Sequence, residues 1–217
     1  MDSCGCDRGF EIFDRKSAEA DVERYRRHGP DTTTRMLVDM IRERGVEGAT
    51  VLDIGGGIGV IDHELLEDGA QRAVLVDASA PTLETARDEA RRRSFLDRIE
   101  FVEGDFVSRA ETVDAADIVT LDRVICCYPD MESLVRLSVS RATRLYGLVL
   151  PRDRAIMRWG LWLLNLWFRL RGWAYRGYAH PNARVDALAA EAGLRARDER
   201  TTFVWRVVLY ERATANT

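Results

Sequence analysis

The sequence predicts an α/β fold built on a doubly wound, mostly parallel sheet that ends in an antiparallel hairpin. Short apolar runs recur along the chain with helical stretches of about 10–15 residues between them, a pattern typical of parallel strands covered by helices on both faces. Near the carboxy terminus, residues 195–201 and 203–210 follow each other with hardly a gap, and strands that close can pair only in the antiparallel sense. The parallel strands are expected at 50–54, 73–77, 99–102, 117–121 and 145–150.

The chain length indicates a single domain over residues 1–217, because 217 residues with 46% hydrophobic side chains suffice for one large core. Two amphipathic helices, at 10–27 and 31–44, precede the first strand and are expected to cap the domain. An insertion follows the fifth strand, at the edge where open parallel sheets bind ligands, so we expect it to act as a lid. The expected parts are a helical cap at 1–47, a ligand-binding core at 48–151, a lid or substrate insertion at 152–180, and the last helix with the hairpin at 181–217.

Charge and cysteine content restrict the partners and the compartment. The chain carries 32 basic and 36 acidic side chains, a net charge of −4, which gives no overall attraction to nucleic acid. We therefore expect no nucleic-acid partner. The cysteines stand in two close pairs, Cys4 with Cys6 and Cys126 with Cys127, and no apolar segment opens the chain, so we expect a cytoplasmic protein. Cys-x-Cys and adjacent cysteines are poor joint ligands, and we predict no metal site.

A glycine-rich turn at 55–59 joins the first strand to a helix. Such a turn lets the backbone approach a ligand closely, and the helix amino terminus offers free N–H groups. The dinucleotide fingerprint would need glycine at position 60, where the chain has Val60, so a nicotinamide dehydrogenase is disfavoured. Asp53 precedes the first glycine by two residues and would repel a pyrophosphate but attract an ammonium or sulfonium group.

Acidic residues also follow the next two strands. Asp77 closes the second strand, where a carboxylate can accept hydrogen bonds from both hydroxyls of an unphosphorylated ribose. Asp105 follows the third strand and could accept from the exocyclic amine of adenine, with the ring of Phe106 on the base. Three carboxylates at successive strand ends predict one ligand, an adenosine whose tail carries a cation.

These motifs resemble the Rossmann-like class I S-adenosylmethionine (SAM)-dependent methyltransferases, over about residues 48–211. The residues that carry the resemblance are 51–59, Val-Asp-Ala-Ser at 76–79, Glu-Gly-Asp-Phe at 103–106 and the final hairpin. The resemblance implies that SAM is the cofactor and S-adenosylhomocysteine (SAH) the product. It implies that Asp53 and the glycines hold the methionine part, Asp77 the ribose and Asp105 the adenine. The expected cofactor-binding residues are Asp53, Gly55, Gly57, Gly59, Asp77, Ala78, Asp105, Phe106, Leu121, Asp122 and Tyr25.

A narrower similarity points to the magnesium-protoporphyrin methyltransferases. It is carried by residues 121–129, by 144–146 with 151–152, and by Tyr-Ala-His at 178–180. Those enzymes esterify a propionate on a large apolar macrocycle. Here Cys127 stands where they have a histidine, the segment is one residue longer, and the lid sequence differs. The similarity therefore implies a methyltransferase for a small, largely apolar acceptor, with a carboxylate as one candidate for the group that is methylated.

The nature of the acceptor decides which residues would act on it. A carboxylate acceptor needs only orientation by cations, for which Arg123, Arg152 and Arg154 follow strands four and five. A hydroxyl or amine acceptor needs a general base, and His180 at the end of the insertion is best placed. The expected catalytic residues are His180, Tyr128 and Arg123, and the expected substrate-binding residues are Arg152, Arg154 and Trp162.

The insertion holds a tryptophan-rich segment at 159–168 whose apolar residues run almost all round a helix. A helix of this kind must bury against something. Three alternatives stay open: a pocket for a large flat or lipid-like substrate, docking on a membrane surface with arginines at the rim, or internal packing or a dimer contact through 156–171. An alternative function follows, a non-catalytic SAM-binding module that acts on a partner or membrane through this helix.

Overall fold

Seven strands form one sheet in the order β3-β2-β1-β4-β5-β7-β6. The computed structural model describes residues 15–172 and 176–213. Strands β1 to β5 run parallel, whereas β7 is antiparallel to both β5 and β6. The strands are β1 (Thr50–Ile54), β2 (Arg72–Asp77), β3 (Ile99–Glu103), β4 (Ala116–Asp122), β5 (Ala142–Pro151), β6 (Leu194–Thr201) and β7 (Trp205–Arg212). The predicted fold class, a mostly parallel sheet with a carboxy-terminal antiparallel hairpin, is confirmed.

Helices connect the parallel strands and cover both faces of the sheet. The α-helices are α1 (Arg15–His28), α2 (Thr32–Arg42), α3 (Val60–Glu67), α4 (Ala80–Arg92), α5 (Phe106–Arg109), α6 (Met131–Arg141), α7 (Ala155–Leu170) and α8 (Asn182–Glu191). Short 3-10 turns lie at Leu96–Arg98, Ala110–Thr112 and Ile125–Cys127. Parallel strands require such crossovers, because the chain must return to the same end of the sheet before each new strand.

Two hydrophobic clusters lie on opposite faces of the sheet. One packs α5, α6 and α8 against Leu52, Val119 and Tyr146. The other packs α2, α3 and α4 against Val51 and Ile118. Because successive side chains of a strand point to opposite faces, neighbours such as 51 and 52 enter different clusters. This two-sided burial explains why the strands read as nearly continuous apolar runs.

The amino-terminal helix α1 is fastened to α4 by a buried carboxylate. The side chain of Glu89 is fully buried, and it accepts hydrogen bonds from Arg26 of α1 and from Arg92 and Arg93 at the end of α4. The three guanidinium groups hold the pKa of Glu89 well below its usual range against the opposing effect of burial. The α1 helix thereby lies beside the glycine turn, where Ile58 packs against its buried residues.

None of the helices within 15–172 and 176–213 combines the length and the apolar character that crossing a bilayer requires. The same residues contain no cluster of three or more side chains suited to a metal ion. Cys4 and Cys6 lie outside the described residues. The division of the chain into one domain with a cap and a lid stays a prediction.

Candidate functional site

The carboxyl edge of the sheet between β1 and β4 is the position at which open α/β sheets form a ligand crevice. Strand β1 pairs with β2 on one side and with β4 on the other, so the strand order reverses here. Ligands of open α/β sheets bind at such a switch point. Asp53, Asp77 and Asp122 all lie at or next to the ends of these strands. The topology thus brings the carboxylates of three neighbouring strands to one edge.

The glycine turn owes its shape to left-handed backbone conformations. Gly55, Gly57 and Gly59 have φ of 67°, 58° and 78°, values that a side chain makes costly. The N–H of Gly55 donates to the carbonyl of Val76 over 2.7 Å, and the N–H of Gly57 donates to Oδ2 of Asp77 over 3.0 Å. The turn is therefore tied to the end of β2, and Gly59 then begins α3.

The space around each glycine shows which side of the turn is open. A Cβ added at Gly55 would stand 2.5 Å from Cγ2 of Val124, and one at Gly56 would stand 2.5 Å from Oδ2 of Asp53. Both positions are closed by the protein itself. A Cβ added at Gly57 would meet nothing within 4 Å. The turn is therefore in close contact with protein side chains at Gly55 and Gly56 but open at Gly57. A ligand could approach the backbone of the turn at Gly57, and we call this open turn the cradle.

Two buried carboxyl groups lie beneath the turn. Asp53 is 1% exposed, and its Oδ1 accepts a hydrogen bond of 2.6 Å from the hydroxyl of Thr120. Burial raises the pKa of Asp53 well above its usual range, and the nearby Asp62 raises it further. Asp62 is fully buried without a hydrogen-bond partner among the described residues, and burial raises its pKa to about 7. A cation above the turn would favour the ionised form of Asp53.

Asp77 organises the end of β2. Its Oδ1 accepts from the N–H of Ser79 over 2.8 Å while Oδ2 accepts from Gly57. Burial raises the pKa of Asp77 more than these backbone hydrogen bonds lower it. Ala78 lies between Asp77 and Ser79, which are joined by this hydrogen bond. Since an ionised carboxylate offers about four lone-pair sites, Asp77 retains the capacity to accept from a ligand hydroxyl.

Asp105 and Phe106 also have structural roles. Asp105 begins α5 and accepts hydrogen bonds from the N–H groups of Val107 and Ser108, at 3.4 and 3.1 Å. Phe106 is 4% exposed and belongs to the hydrophobic cluster below the sheet edge. The N–H of Gly104 donates to the carbonyl of Asp77 over 3.0 Å, so this loop continues the same edge.

A polar network joins the end of β4 to the start of α2. Asp122 accepts hydrogen bonds from the hydroxyl of Thr34 and from Nε of Arg123, the latter over 2.9 Å. The guanidinium of Arg123 also pairs with Asp31, which begins α2. Arg123 has a φ of 62°, which is uncommon outside glycine. The arginine thus meets two carboxylates, and its charge is compensated within the protein.

Asp31 and Thr34 were not predicted as parts of this network. The only signal was a typical helix start, an aspartate followed by threonines. That pattern predicts the beginning of α2 and says nothing of a contact with the end of β4.

The segment after α7 is fastened to the loop between β4 and α6. The N–H of Tyr178 donates to the carbonyl of Cys126 over 2.7 Å, and Nε2 of His180 lies 2.9 Å from the carbonyl oxygen of Tyr128. A carbonyl can only accept, so Nε2 carries the proton in the neutral ring and Nδ1 keeps a lone pair. The ring of Tyr178 stacks on that of His180 with centroids 5.7 Å apart.

Tyr25 lies in the last turns of α1 and contacts α3 through Glu64. Its hydroxyl donates to Oε1 of Glu64 over 2.9 Å, and its ring lies 4.4 Å from the guanidinium of Arg93. Burial raises the pKa of Tyr25 far above its usual value. The ring reaches the glycine turn through Ile58, with which it shares a small hydrophobic cluster.

The expected substrate-binding residues are distributed along the insertion. Arg152 donates from its guanidinium to the carbonyl of Thr202 over 3.0 Å, and Arg154 is exposed where α7 begins. Trp162 is 57% exposed. Within the described residues, no hydrogen bond or ion pair joins these three side chains to the strand-end carboxylates.

The strand order, the glycine turn and the row of carboxylates define the class of protein, a class I methyltransferase fold. Residues 46–155, half of the chain, match the family described as "Methyltransferase domain". The chain belongs to this family. The resemblance to the class I SAM-dependent methyltransferases and the predicted enzyme class are therefore confirmed.

Two curated relatives match short regions of this chain closely. The chain is 49% identical over 82 residues to the cypemycin N-terminal methyltransferase of a Streptomyces species, covering 37% of this chain and 30% of that protein. It is 38% identical over 76 residues to the ribosomal protein L11 methyltransferase of Deinococcus radiodurans, covering 35% and 28%. The matched region thus spans less than a third of either relative.

A solved structure matches nearly the whole chain. The magnesium protoporphyrin IX methyltransferase ChlM of Synechocystis, solved with bound SAH, superimposes with a TM-score of 0.65. The match covers 98% of this chain and 89% of that one, at 17% sequence identity. At 17% identity the likeness shows the fold alone. The similarity to magnesium-protoporphyrin methyltransferases that the sequence indicated is therefore found again in the fold.

Proposed function

We propose that this chain binds SAM in the crevice between β1 and β4 and transfers its methyl group to a small, largely apolar acceptor. The single observation that carries the proposal is the row of strand-end carboxylates beside a glycine turn that is open at Gly57. An unphosphorylated ribose with a cationic tail has the hydroxyls and the charge that such a row would recognise.

The residues of the crevice fit this cofactor. When bound, SAM supplies a methyl group on a positively charged sulfur. In the proposed arrangement Asp77, with the adjacent Ala78, accepts from the ribose hydroxyls. Asp105 and Phe106 would hold the adenine. Gly55, Gly57 and Gly59, with Asp53, Leu121 and Asp122, would hold the methionine part.

In the methyl transfer, the role of the protein is to position the two reactants and to exclude water. For a hydroxyl or amine acceptor, Nδ1 of His180 would take up the proton. The carbonyl of Tyr128 would hold the ring in that tautomer. For a carboxylate acceptor no base is required, and Arg152 and Arg154 would orient the anion. Arg123, compensated by two carboxylates, would act by holding the start of α2 against the end of β4.

An apolar acceptor is supported by the insertion. The α7 helix, Ala155–Leu170, consists mostly of apolar and aromatic residues. The fold likeness to a magnesium protoporphyrin IX methyltransferase is in keeping with a porphyrin-type carboxylate. The names of the curated relatives, an N-terminal methyltransferase and a ribosomal protein methyltransferase, make peptides and proteins the acceptors to compare in the test.

The test measures binding and turnover separately. Calorimetric titration with SAM, SAH and NADH is expected to give binding of the first two only. Methyl-labelled SAM is then incubated with porphyrin carboxylates, phenols, peptide amines and ribosomal protein, and the products are identified by mass spectrometry. We expect label in a small apolar acceptor. Label in the protein or peptide alone would overturn the acceptor class, and NADH binding without SAM binding would overturn the cofactor. Tight SAM binding without turnover on any acceptor would favour the non-catalytic module.

A further inference from the structure

One face of α7 is apolar and exposed. Trp159, Trp162, Leu163 and Leu170 are 67%, 57%, 58% and 76% exposed. A helix turns about 100° per residue, so Trp159, Leu163 and Leu170 fall within about 40° of one another. These side chains form one stripe along the helix, and the stripe faces solvent.

The opposite face of α7 packs against the rest of the protein. Phe168 is 9% exposed. The amide of Asn165 donates to the carbonyl of Gly177 over 2.7 Å and accepts from its N–H over 2.9 Å. A two-way hydrogen bond of this kind fixes the rotation of the helix. The exposure of the stripe therefore follows from how the helix is held.

A second apolar element adjoins the start of α7. Phe203, at the tip of the hairpin between β6 and β7, is 67% exposed. The N–H of Arg152 donates to the carbonyl of Val204 over 2.8 Å, and its guanidinium donates to Thr202. The hairpin tip therefore lies beside the residues that lead into α7. We call Trp159, Trp162, Leu163, Leu170 and Phe203 the apolar face.

The charged side chains from 154 to 185, which include all those of α7, are positive, and Asp153 and Asp186 lie on either side of this stretch. Residues 154–185 contain six of the 32 basic side chains of the protein and none of the 36 acidic ones. Three arginines elsewhere in the protein pair with Glu89. Within the described residues, the arginines of α7 and its flanks form no salt bridge. These are Arg154, Arg158, Arg169, Arg171 and Arg176.

We propose that the apolar face docks on the surface of an anionic lipid bilayer, with its tryptophans and leucines at the boundary of headgroups and acyl chains. Tryptophan favours this boundary, and unpaired arginines beside it would meet lipid phosphates and acidic headgroups. The proposal goes beyond the proposed function and does not depend on SAM binding.

Charge argues against a second copy of this chain as the occupant. A two-fold interface would bring the same patch of both copies together. Arginines would then face arginines, with no carboxylate in residues 154–185 to compensate them. An anionic surface supplies that compensation.

The experiment is cosedimentation of the full chain with vesicles of phosphatidylcholine alone or of equimolar phosphatidylcholine and phosphatidylglycerol. We expect binding to the anionic vesicles, weaker binding to the neutral ones, and loss of binding at high salt. Two variants test the two parts of the surface, Trp159→Ser with Leu163→Ser, and Arg158→Gln with Arg169→Gln. Each pair is expected to weaken binding by about tenfold or more. The control is Arg24→Gln with Arg91→Gln, at exposed arginines on α1 and α4.

The substituted side chains are exposed, so circular dichroism and SAM affinity should stay unchanged in all variants. The proposal is overturned if the wild-type chain ignores anionic vesicles, or if both variant pairs bind as the control does. It is also overturned if the chain is a dimer in solution that the Trp159→Ser, Leu163→Ser variant dissociates. Failure of SAM binding with vesicle binding intact would refute the proposed function alone.

Discussion

The backbone N–H of Gly57 donates a hydrogen bond of 3.0 Å to Oδ2 of Asp77. This contact makes the glycine turn and the carboxylate at the end of β2 one unit, although they belong to different strands. The geometry of the cofactor crevice therefore depends on both residues together.

Asp77→Ala should weaken SAM binding by at least tenfold, or about 1.4 kcal/mol, because the ribose hydroxyls lose their acceptor. Isothermal titration calorimetry measures the change. Asp97→Ala is the control, since Asp97 is exposed in the turn that precedes β3, at the opposite edge of the sheet. Unchanged affinity in a folded Asp77→Ala variant would remove the ribose assignment.

Gly57→Ala should abolish SAM binding while leaving the protein folded. The added methyl group meets no protein atom within 4 Å and would project into the crevice. Gly48→Ala is a matched control, since Gly48 has φ of +70° against +58° and equally open surroundings, but precedes β1 at the far edge. Both variants should lose about 1 kcal/mol of stability from the left-handed backbone. Equal SAM affinity in the two variants would contradict the proposal that SAM binds over the turn at Gly57.

Asp62→Asn should stabilise the protein more at pH 8 than at pH 4. Burial raises the pKa of Asp62 to about 7, so between about pH 4 and pH 7 the native state keeps a proton that the unfolded chain releases. Stability contributed by Asp62 therefore falls as pH rises through this window. Denaturant unfolding at both pH values should show a difference of at least about 1.4 kcal/mol, the equivalent of one pKa unit. A pH-independent effect would show that Asp62 is not the titrating group.

Glu89→Gln should have the opposite pH dependence. The pKa of Glu89 is held below its usual range, so its contribution is present at neutral pH and is lost as pH falls below the ordinary value of about 4.5. We expect a loss of about 1.5–3 kcal/mol at pH 7, the strength typical of charge-assisted hydrogen bonds, shrinking below pH 4. Urea unfolding measures it. Glu19→Gln, at an exposed pair on α1, should have little effect at any pH.

His180→Gln should lower kcat by about 100-fold for a hydroxyl or amine acceptor, because the proton acceptor is removed. SAM affinity should not change, and the KM of the acceptor should change little. His28→Gln is the control, at an exposed histidine that ends α1. If kcat is retained in the His180 variant, the histidine has no part in proton transfer and a carboxylate acceptor is favoured.

Local sequence patterns predicted the sheet and the glycine turn because short stretches of sequence determine both. Residues 50–59 specify a strand, left-handed turns and a helix start without help from the rest of the chain. The edges of elements were less accurate. The strand predicted at 145–150 is longer in the structure, Ala142–Pro151. The strand begins earlier because Ala142 pairs with Ala116 of β4, a contact that a local pattern does not contain.

Contacts between distant residues could not be predicted. Thr34 and Asp122 are 88 residues apart in the chain, yet they share a hydrogen bond. The α7 helix gives a different lesson. Its sequence predicts burial nearly all round, whereas the structure seats one face through Asn165 and leaves the other to solvent. Hydrophobicity alone does not tell which side of a helix meets its own protein.

Strand β7 lies between β5 and β6, although it is made after both. While the chain is being synthesised, β5 keeps an unpaired edge and β6 has no neighbour until β7 emerges from the ribosome. β6 and β7 are consecutive in the chain and can form a hairpin first, and the edge of β5 is covered when β7 of that hairpin pairs with it. Until that step β5 presents unpaired backbone groups to other strands.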